Sequence, residues 1–382
     1  MKLAVLTEII SPYRIPVFNA LAKQKDIELH VIFLADTDPT QREWLVYKNE
    51  IQFSYRVLPF WRRRYRERNI LLNRGLTAAL EEMAPDVILC GGYNYIASWQ
   101  AMAWARKRHI PFLAWVESTA KDKRGGHRPV EFLKRKFIAG CNAFVVPGKS
   151  STEYVRDFNV PPENIFVAPN AVDIEFFSRN AEHVRREAAS HRLKLQLPQR
   201  FFLYVGRLVE EKGIFDLLAA YGNLAQELRK EIGMVFVGNG RAKAALMAQG
   251  AKLGCGSVKF AGFVQKEELP CYYALAEACI LPTYTDTWGL VVNEAMACGL
   301  PVIVSNAAGC AQDLVEENWN GLLINSQRPD ELTAALEMIA NNPKMRSAMG
   351  QRSRERISQY SPQSCAGGIA EAALSFGAVC HA

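Results

Sequence analysis

The chain has 382 residues, 49% of them hydrophobic and 22% charged, with nine cysteines and a net charge of +7. That length suits two domains of ordinary size, and the composition excludes a disordered chain, a collagen-like repeat and a disulfide-stapled small fold. No apolar run reaches the ~18 residues needed to span a bilayer, and Glu8 interrupts the first apolar stretch too early for a secretory leader.

Taken in chain order, short β-rich runs alternate with longer helical patterns. Strands are expected at Leu3–Thr7, Leu29–Leu34, Asp86–Cys90, Phe112–Val116, Ala143–Val146 and Ile165–Ala168. A second series follows at Phe201–Val205, Met234–Val237, Val258–Ala261, Cys279–Leu281 and Val302–Ser305. Helices are expected between them, including Ile70–Met83, Ala97–Arg108, Phe215–Arg229 and Lys266–Ala276. Most strands are continuously apolar, as parallel strands covered on both faces must be. The pattern predicts an α/β fold of two Rossmann-like doubly wound domains facing a cleft. The polar stretch Phe177–Gln199 reads as the boundary, giving domains 1–190 and 191–360, with a C-terminal helix over 361–382 completing the first.

The cysteines are odd in number and contain no Cys-x-x-Cys pair, and Cys90, Cys279 and Cys298 lie in apolar surroundings. This favours free thiols in a reducing cytoplasm and disfavours a thiolate zinc site. The six histidines include no His-x-x-x-His pair, so no metal site is expected. Charge is uneven: residues 1–195 hold 30 Lys/Arg against 21 Asp/Glu, residues 196–382 hold 16 against 18. The excess clusters with aromatics at Trp61-Arg-Arg-Arg-Tyr-Arg-Glu-Arg68, Lys121-Asp-Lys-Arg124 and Lys134-Arg-Lys136 beside Phe132, Leu133 and Phe137. Such a half suits an anionic partner, a membrane surface or a phosphorylated acceptor, unless each cluster is simply a solvated face. No nucleic-acid-binding motif accompanies the charge.

Two stretches carry chemistry. Directly after the strand at Phe201, Gly206-Arg207-Leu-Val-Glu-Glu-Lys212-Gly213 places two cations between two glycines before a helix, a natural seat for an anion. Further on, Asp286-Thr-Trp-Gly289-Leu-Val-Val-Asn-Glu294 sets two acids eight positions apart across a loop and a helix start. Both acids are expected to be accessible from the cleft, and carboxylates there suit the hydroxyls of a sugar or ribose. Taken singly, each has a plainer account: a solvated turn, a helix cap at Asp286, a paired Glu294.

These two stretches, with Val237-Gly-Asn-Gly240, Gly262-Phe-Val264, Glu294-Ala-Met-Ala-x-Gly299-x-Pro301 and Pro169-Asn-Ala-Val-Asp173, resemble the retaining nucleotide-sugar glycosyltransferases of family four, which have the GT-B fold. The resemblance covers nearly the whole chain. It implies that Arg207 and Lys212 hold the donor diphosphate, that Gly206, Gly238 and Asn239 also bind the donor, and that Glu294 holds the ribose. Asp286 stands where the family usually has glutamate against the donor sugar, which leaves the sugar preference open. Thr287, Trp288, Gly289 and Leu290 match backbone positions near the sugar and phosphates, and Phe263 and Val264 match the base pocket. Glu117, after the strand at Phe112, stands where many members carry an active-site histidine, or is an ordinary loop acid. On the acceptor side stand Tyr13, Arg14, Gly92, Tyr93 and His127, the last more simply a solvated loop histidine.

The implied donor is a UDP- or GDP-linked sugar acting as co-substrate, with no further cofactor. The implied acceptor is a glycan or lipid-linked glycan of cell-surface polysaccharide synthesis at the inner membrane face. Pro147-Gly-Lys149-Ser150 imitates the end of a P-loop, but Ala143 stands where its first glycine belongs. Gly238-Asn-Gly240 lacks the third glycine of a dinucleotide fingerprint, Lys243 standing there. The one Asp-x-Asp match, Asp36-Thr-Asp38, lies far in sequence from the diphosphate residues, so transfer without a metal is expected. A nucleotide-sugar epimerase and a non-catalytic sugar-phosphate-binding module are the rival readings.

Overall fold

The computed structural model describes residues 1–38, 43–65, 68–121, 128–254 and 258–377. The chain forms two compact units, Met1–Ala171 with Pro362–Ala382, and Val172–Ser361.

The first unit holds β1 (Lys2–Thr7), β2 (Glu28–Phe33), β3 (Ser54–Val57), β4 (Phe60–Tyr65), β5 (Arg68–Asn73), β6 (Val87–Cys90), β7 (Phe112–Trp115), β8 (Ala143–Val146) and β9 (Ile165–Val167). Seven of these make a sheet in the order β3-β2-β1-β6-β7-β8-β9, every pairing parallel. Its β6, β7 and β8 are buried along their whole length because helices cover both faces. The C-terminal helix Pro362–Gly377 lays Cys365, Ile369 and Ala373 into the core under β8 and β9.

The second unit holds β10 (Phe201–Val205), β11 (Gly233–Val237), β12 (Val258–Gly262), β13 (Ala278–Leu281), β14 (Val302–Ser305) and β15 (Gly321–Ile324). They form a parallel sheet in the order β12-β11-β10-β13-β14-β15. In each sheet the strand order reverses once, at β1/β6 and at β10/β13. The carboxyl ends of strands at such a reversal are where doubly wound folds bind ligands.

Four expectations need correction. The unit boundary falls at Ala171/Val172 rather than near 190, because the polar stretch is not a linker. It folds as helices Ile174–Arg186 and Ala188–Leu195, the first packed on helix Leu269–Leu275 through Phe177 and Tyr273, rings 6.3 Å apart. Residues from Ile70 to Asn73 are not helical but pair antiparallel with Phe60–Arg63 in the β4–β5 hairpin, and the helix begins only after Gly75, at φ +80°. Strands β3 and β15 were absent from the pattern. The expected helix Phe215–Arg229 is two, Ile214–Asn223 and Gln226–Glu231.

The hairpin explains part of the basic sequence. Opposed residues share a face, so Trp61, Leu72, Arg63 and Ile70 lie together on one side, with Trp61 52% exposed. On the other side Leu71 is buried and Arg62 turns inward to Asp38, 3.6 Å away.

Candidate active site

The second unit gathers its glycine-rich turns at the carboxyl ends of β10, β11 and β12. Gly206 N donates to Val237 O (3.0 Å), Leu208 N to Asn239 O (2.8 Å) and Gly238 N to Gly262 O (2.6 Å). The packing admits no side chain: a Cβ on Gly238, at φ +133°, would stand 1.9 Å from Gly206 O, and one on Gly213, at φ +68°, 2.0 Å from Pro282 O. Glycine alone satisfies both the positive φ and the close approach.

After β10 the chain runs through Gly206, a short 3-10 turn at Glu210–Lys212, and Gly213 into helix Ile214–Asn223. This helix directs its unsatisfied amide end to the same edge of the sheet. Arg207 is exposed and has no ion pair among the described residues; its carbonyl accepts from the Tyr204 hydroxyl at 2.8 Å. Lys212 is largely buried and donates to Asp286 Oδ2 at 2.5 Å. The two expected donor residues are thus paired with each other, across the β10/β13 reversal.

Asp286 does not cap the following helix, Leu290–Ala297, whose cap is Gly289 at φ +102° with no side-chain bond. Asp286 Oδ1 instead accepts from Trp288 N at 3.3 Å, and its backbone oxygen accepts from Gly309 N at 3.0 Å. Thr287 O crowds Gly309, where a Cβ would approach within 1.9 Å, and Trp288 is buried, its indole N–H donating to Asn293 Oδ1 at 2.9 Å. Leu290 opens the helix.

Glu294 corrects the expectation of an accessible acid: it is 0% exposed. The inner face of its helix packs on helices Ile174–Arg186 and Pro343–Ile357, and the Tyr273 hydroxyl donates to Glu294 Oε2 at 2.6 Å. Tyr273 carries no motif signal; only the fold brings it there. Of the base-side residues, Phe263 is exposed and Val264 buried, after Gly262 at φ +78°. Asn239 Oδ1 accepts from Lys243 Nζ at 2.9 Å.

In the first unit, Arg14 opens helix Arg14–Leu21 and forms an ion pair with Glu117, which lies just beyond β7. The Arg14 guanidinium also lies 3.8 Å from the centre of the Trp115 ring, a cation–π contact. Neither contact was foreseen, although both acid and cation were singled out. Tyr13 packs edge-on against Trp44 at 6.2 Å. Gly92, at φ +117°, accepts from the Cys90 thiol at 3.3 Å. Tyr93 is half-buried: its ring packs 5.8 Å from Phe137, and burial pushes its hydroxyl up to about 12. His127 lies outside the described residues.

Other sequence features resolve similarly. Asp38 is buried and paired with Arg62, so the Asp-x-Asp stretch is engaged internally. Lys134 turns inward to Glu131 at 3.2 Å, whereas Phe132 beside it is 66% exposed. Cys90, Cys279 and Cys298 are buried free thiols, and burial pushes Cys90 up to about 11. His183, Glu187 and His191 bring their ligand atoms within 4.8 Å of one another, because the glutamate bridges histidines four residues to either side.

Comparison with known proteins adds to this geometry. The model of the "Glycosyl transferases group 1" family matches residues 185–356, and that of "Glycosyltransferase Family 4" matches residues 17–176. An uncharacterised glycosyltransferase of Methanocaldococcus jannaschii is 26% identical over 62% of this chain. The O-antigen chain mannosyltransferase B of Escherichia coli is 26% identical over 56% of it. The chain spans 63% of the first relative's length and 56% of the second's. Among solved structures, HepE of Anabaena in complex with UDP superposes with a TM-score of 0.75 at 18% identity, over 98% of this chain and 100% of that one. HepE is also known in complex with UDP-glucose.

Proposed function

Because the chain belongs to the family-four glycosyltransferases of GT-B fold, we propose that it moves a hexose from a nucleoside diphosphate sugar to a glycan acceptor with retained anomeric configuration. The observation that carries this reading is the Lys212–Asp286 pair at the β10/β13 reversal, with the open Arg207 on the same turn. In this reading the donor diphosphate takes Lys212 and Arg207 as its cations, and Asp286, released from the lysine, accepts from a sugar hydroxyl. Glu294, held by Tyr273 beneath the surface, backs the ribose end, and Gly262 to Val264 line the base. HepE's complexes with UDP and UDP-glucose favour a uridine donor for a chain of this fold, and a GDP-linked sugar is the competitor.

Chemically, the bond between the anomeric carbon and the diphosphate oxygen breaks, and the electron pair leaves with the diphosphate. The acceptor oxygen attacks the same face, and its proton passes to the departing phosphate oxygen. Charge accumulates on the diphosphate in the transition state, so fixed cations and helix N-termini stabilise it more than the ground state. Arg207 and Lys212 take the part that a divalent ion plays in other transferases. Glu117, braced by Arg14, serves the acceptor side.

For the acceptor we favour a lipid-linked glycan at a cytoplasmic membrane face. The exposed Trp61, Ile70 and Leu72 beside Arg63, and Phe132 and Leu133 on the basic helix Arg128–Ile138, suit an anionic lipid surface. No helix among the described residues is long and apolar enough to cross a membrane. The test is a panel of UDP- and GDP-sugars screened by thermal shift, followed by release of nucleoside diphosphate with and without a glycan acceptor. Release that depends on acceptor and persists in EDTA supports transfer; isomerised donor with no nucleotide release would replace it with the epimerase reading.

A further inference from the structure

We propose that His183, Glu187 and His191 form a binding site for one divalent cation of the zinc class, separate from the donor residues. The three residues stand at four-residue intervals along the junction of helices Ile174–Arg186 and Ala188–Leu195. Glu187 is the residue at which the first helix ends, at φ −113° and ψ 30°. His191 N donates back to Glu187 O at 3.2 Å, so the second helix starts on the residue that ends the first. Residues four apart along a helix lie on neighbouring positions of one face, and the three ligand atoms come within 4.8 Å of one another.

Two imidazoles and a carboxylate are a zinc donor set, and they leave a fourth position for water. On a tetrahedral ion with bonds near 2.1 Å, ligand atoms stand about 3.4 Å apart. The group must therefore contract by little more than an ångström, and the exposed side chains of His183 and Glu187 are free to turn.

The second observation concerns the ring of His191. Its Nδ1 stands 3.7 Å from the Cys271 sulfur, while its Nε2 is shielded from solvent and has no hydrogen-bond partner among the described residues. A buried ring nitrogen without a partner is costly, and a metal ion satisfies it. The other nitrogen, held by a neighbouring side chain, fixes ring orientation as in established metal sites. Cys271 is thus a positioning residue. It lies on helix Leu269–Leu275, two positions before Tyr273, so a bound ion would tie three helices of the second unit together.

The experiment is titration of chelator-treated full-length protein with Zn2+, followed by calorimetry and by thermal melting. One equivalent should bind and raise the melting temperature, as any ligand specific for the folded state does. His183→Ala, Glu187→Gln and His191→Ala should each weaken binding by at least about tenfold. His30→Ala, in the first unit, should bind as the parent does. Cys271→Ala should keep one equivalent at lower affinity, and Co2+ in the parent should give a spectrum without sulfur-to-metal charge transfer. Less than one equivalent in the parent, or parental affinity in all three ligand variants, overturns the site. A sulfur charge-transfer band would overturn the positioning role of Cys271. Circular dichroism of the variants separates loss of the ion from loss of the fold, and none of these readouts depends on transferase activity.

Discussion

Lys212 on the turn after β10 and Asp286 on the loop after β13 close a 2.5 Å ion pair across the point where the second sheet reverses its strand order. Both side chains are largely withdrawn from solvent, so each compensates the other's desolvation. Lys212→Ala should lower kcat/KM by about 10²–10³, the usual effect of removing one preorganised charge contact. Asp286→Ala should cost about 1–3 kcal/mol of stability, since it strands a partly buried ammonium. The double variant should be more stable than the sum of the singles predicts, which urea unfolding of the four proteins measures. Parental turnover in Lys212→Ala would remove the diphosphate assignment.

Arg207 offers the converse experiment. It is exposed and outside any ion pair among the described residues. Arg207→Ala should therefore change stability by less than about 0.5 kcal/mol while lowering kcat/KM by about 10²–10³. Steady-state kinetics and a melting curve on the same preparation check this. A large stability loss would mean that the side chain belongs to the fold rather than to the donor.

The Tyr273 hydroxyl is the donor that holds Glu294 in the interior, at 2.6 Å. Tyr273→Phe keeps the ring against Phe177 but removes that donor. It should destabilise by about 1–3 kcal/mol and weaken binding of the free nucleoside diphosphate, because the carboxylate loses its orientation. Calorimetric titration with UDP and with GDP reads the binding effect. Unchanged affinity for both would detach Glu294 from the nucleotide.

The β4–β5 hairpin predicts membrane behaviour. Trp61, Leu72 and Ile70 share its exposed face with Arg63. The parent should float with vesicles containing anionic phosphatidylglycerol and stay in solution with neutral phosphatidylcholine. A Trp61→Ser, Leu72→Ser variant should lose flotation yet retain turnover on a water-soluble acceptor fragment. Equal failure of the parent on both vesicle types would count against a lipid surface.

The elements legible in the sequence were those with continuous apolar runs. Strands Phe201–Val205, Ala143–Val146 and Val302–Ser305 fold at the positions their buried sequences dictate. The hairpin was hidden because the arginine run from Arg62 does not read as a core strand, while Ile70–Leu72 read as the start of the helix expected over Ile70–Met83. The unit boundary was hidden because helix Ile174–Arg186 is polar on one face and buries only Phe177, Ala181 and Val184. At the site, Gly206, Lys212, Gly213, Asp286 and Glu294 announced themselves by type and spacing. Their partners did not: a Tyr273–Glu294 bond or an Arg14–Trp115 stack depends on where distant strands end. The His183-Glu187-His191 group was hidden because its histidines stand eight apart, with the glutamate midway between them.

The Arg14–Glu117 pair decides what the acid beyond β7 does. Arg14 is held from one side by the Trp115 ring at 3.8 Å and from the other by the carboxylate. The Glu117 side chain is 42% exposed. If the acid acts only through Arg14, then Arg14→Ala, Glu117→Gln and the double variant should show one common defect, because removing either partner already breaks the unit. If the carboxylate also receives the acceptor, Glu117→Gln should lower kcat with acceptor well beyond Arg14→Ala while leaving the KM for donor unchanged. The acceptor role assigned to Glu117 predicts the second pattern, and steady-state kinetics with the acceptor varied at saturating donor distinguishes them. Three equal defects would reduce Glu117 to a brace for the first helix and move the search for an acceptor-side base to the residues around it.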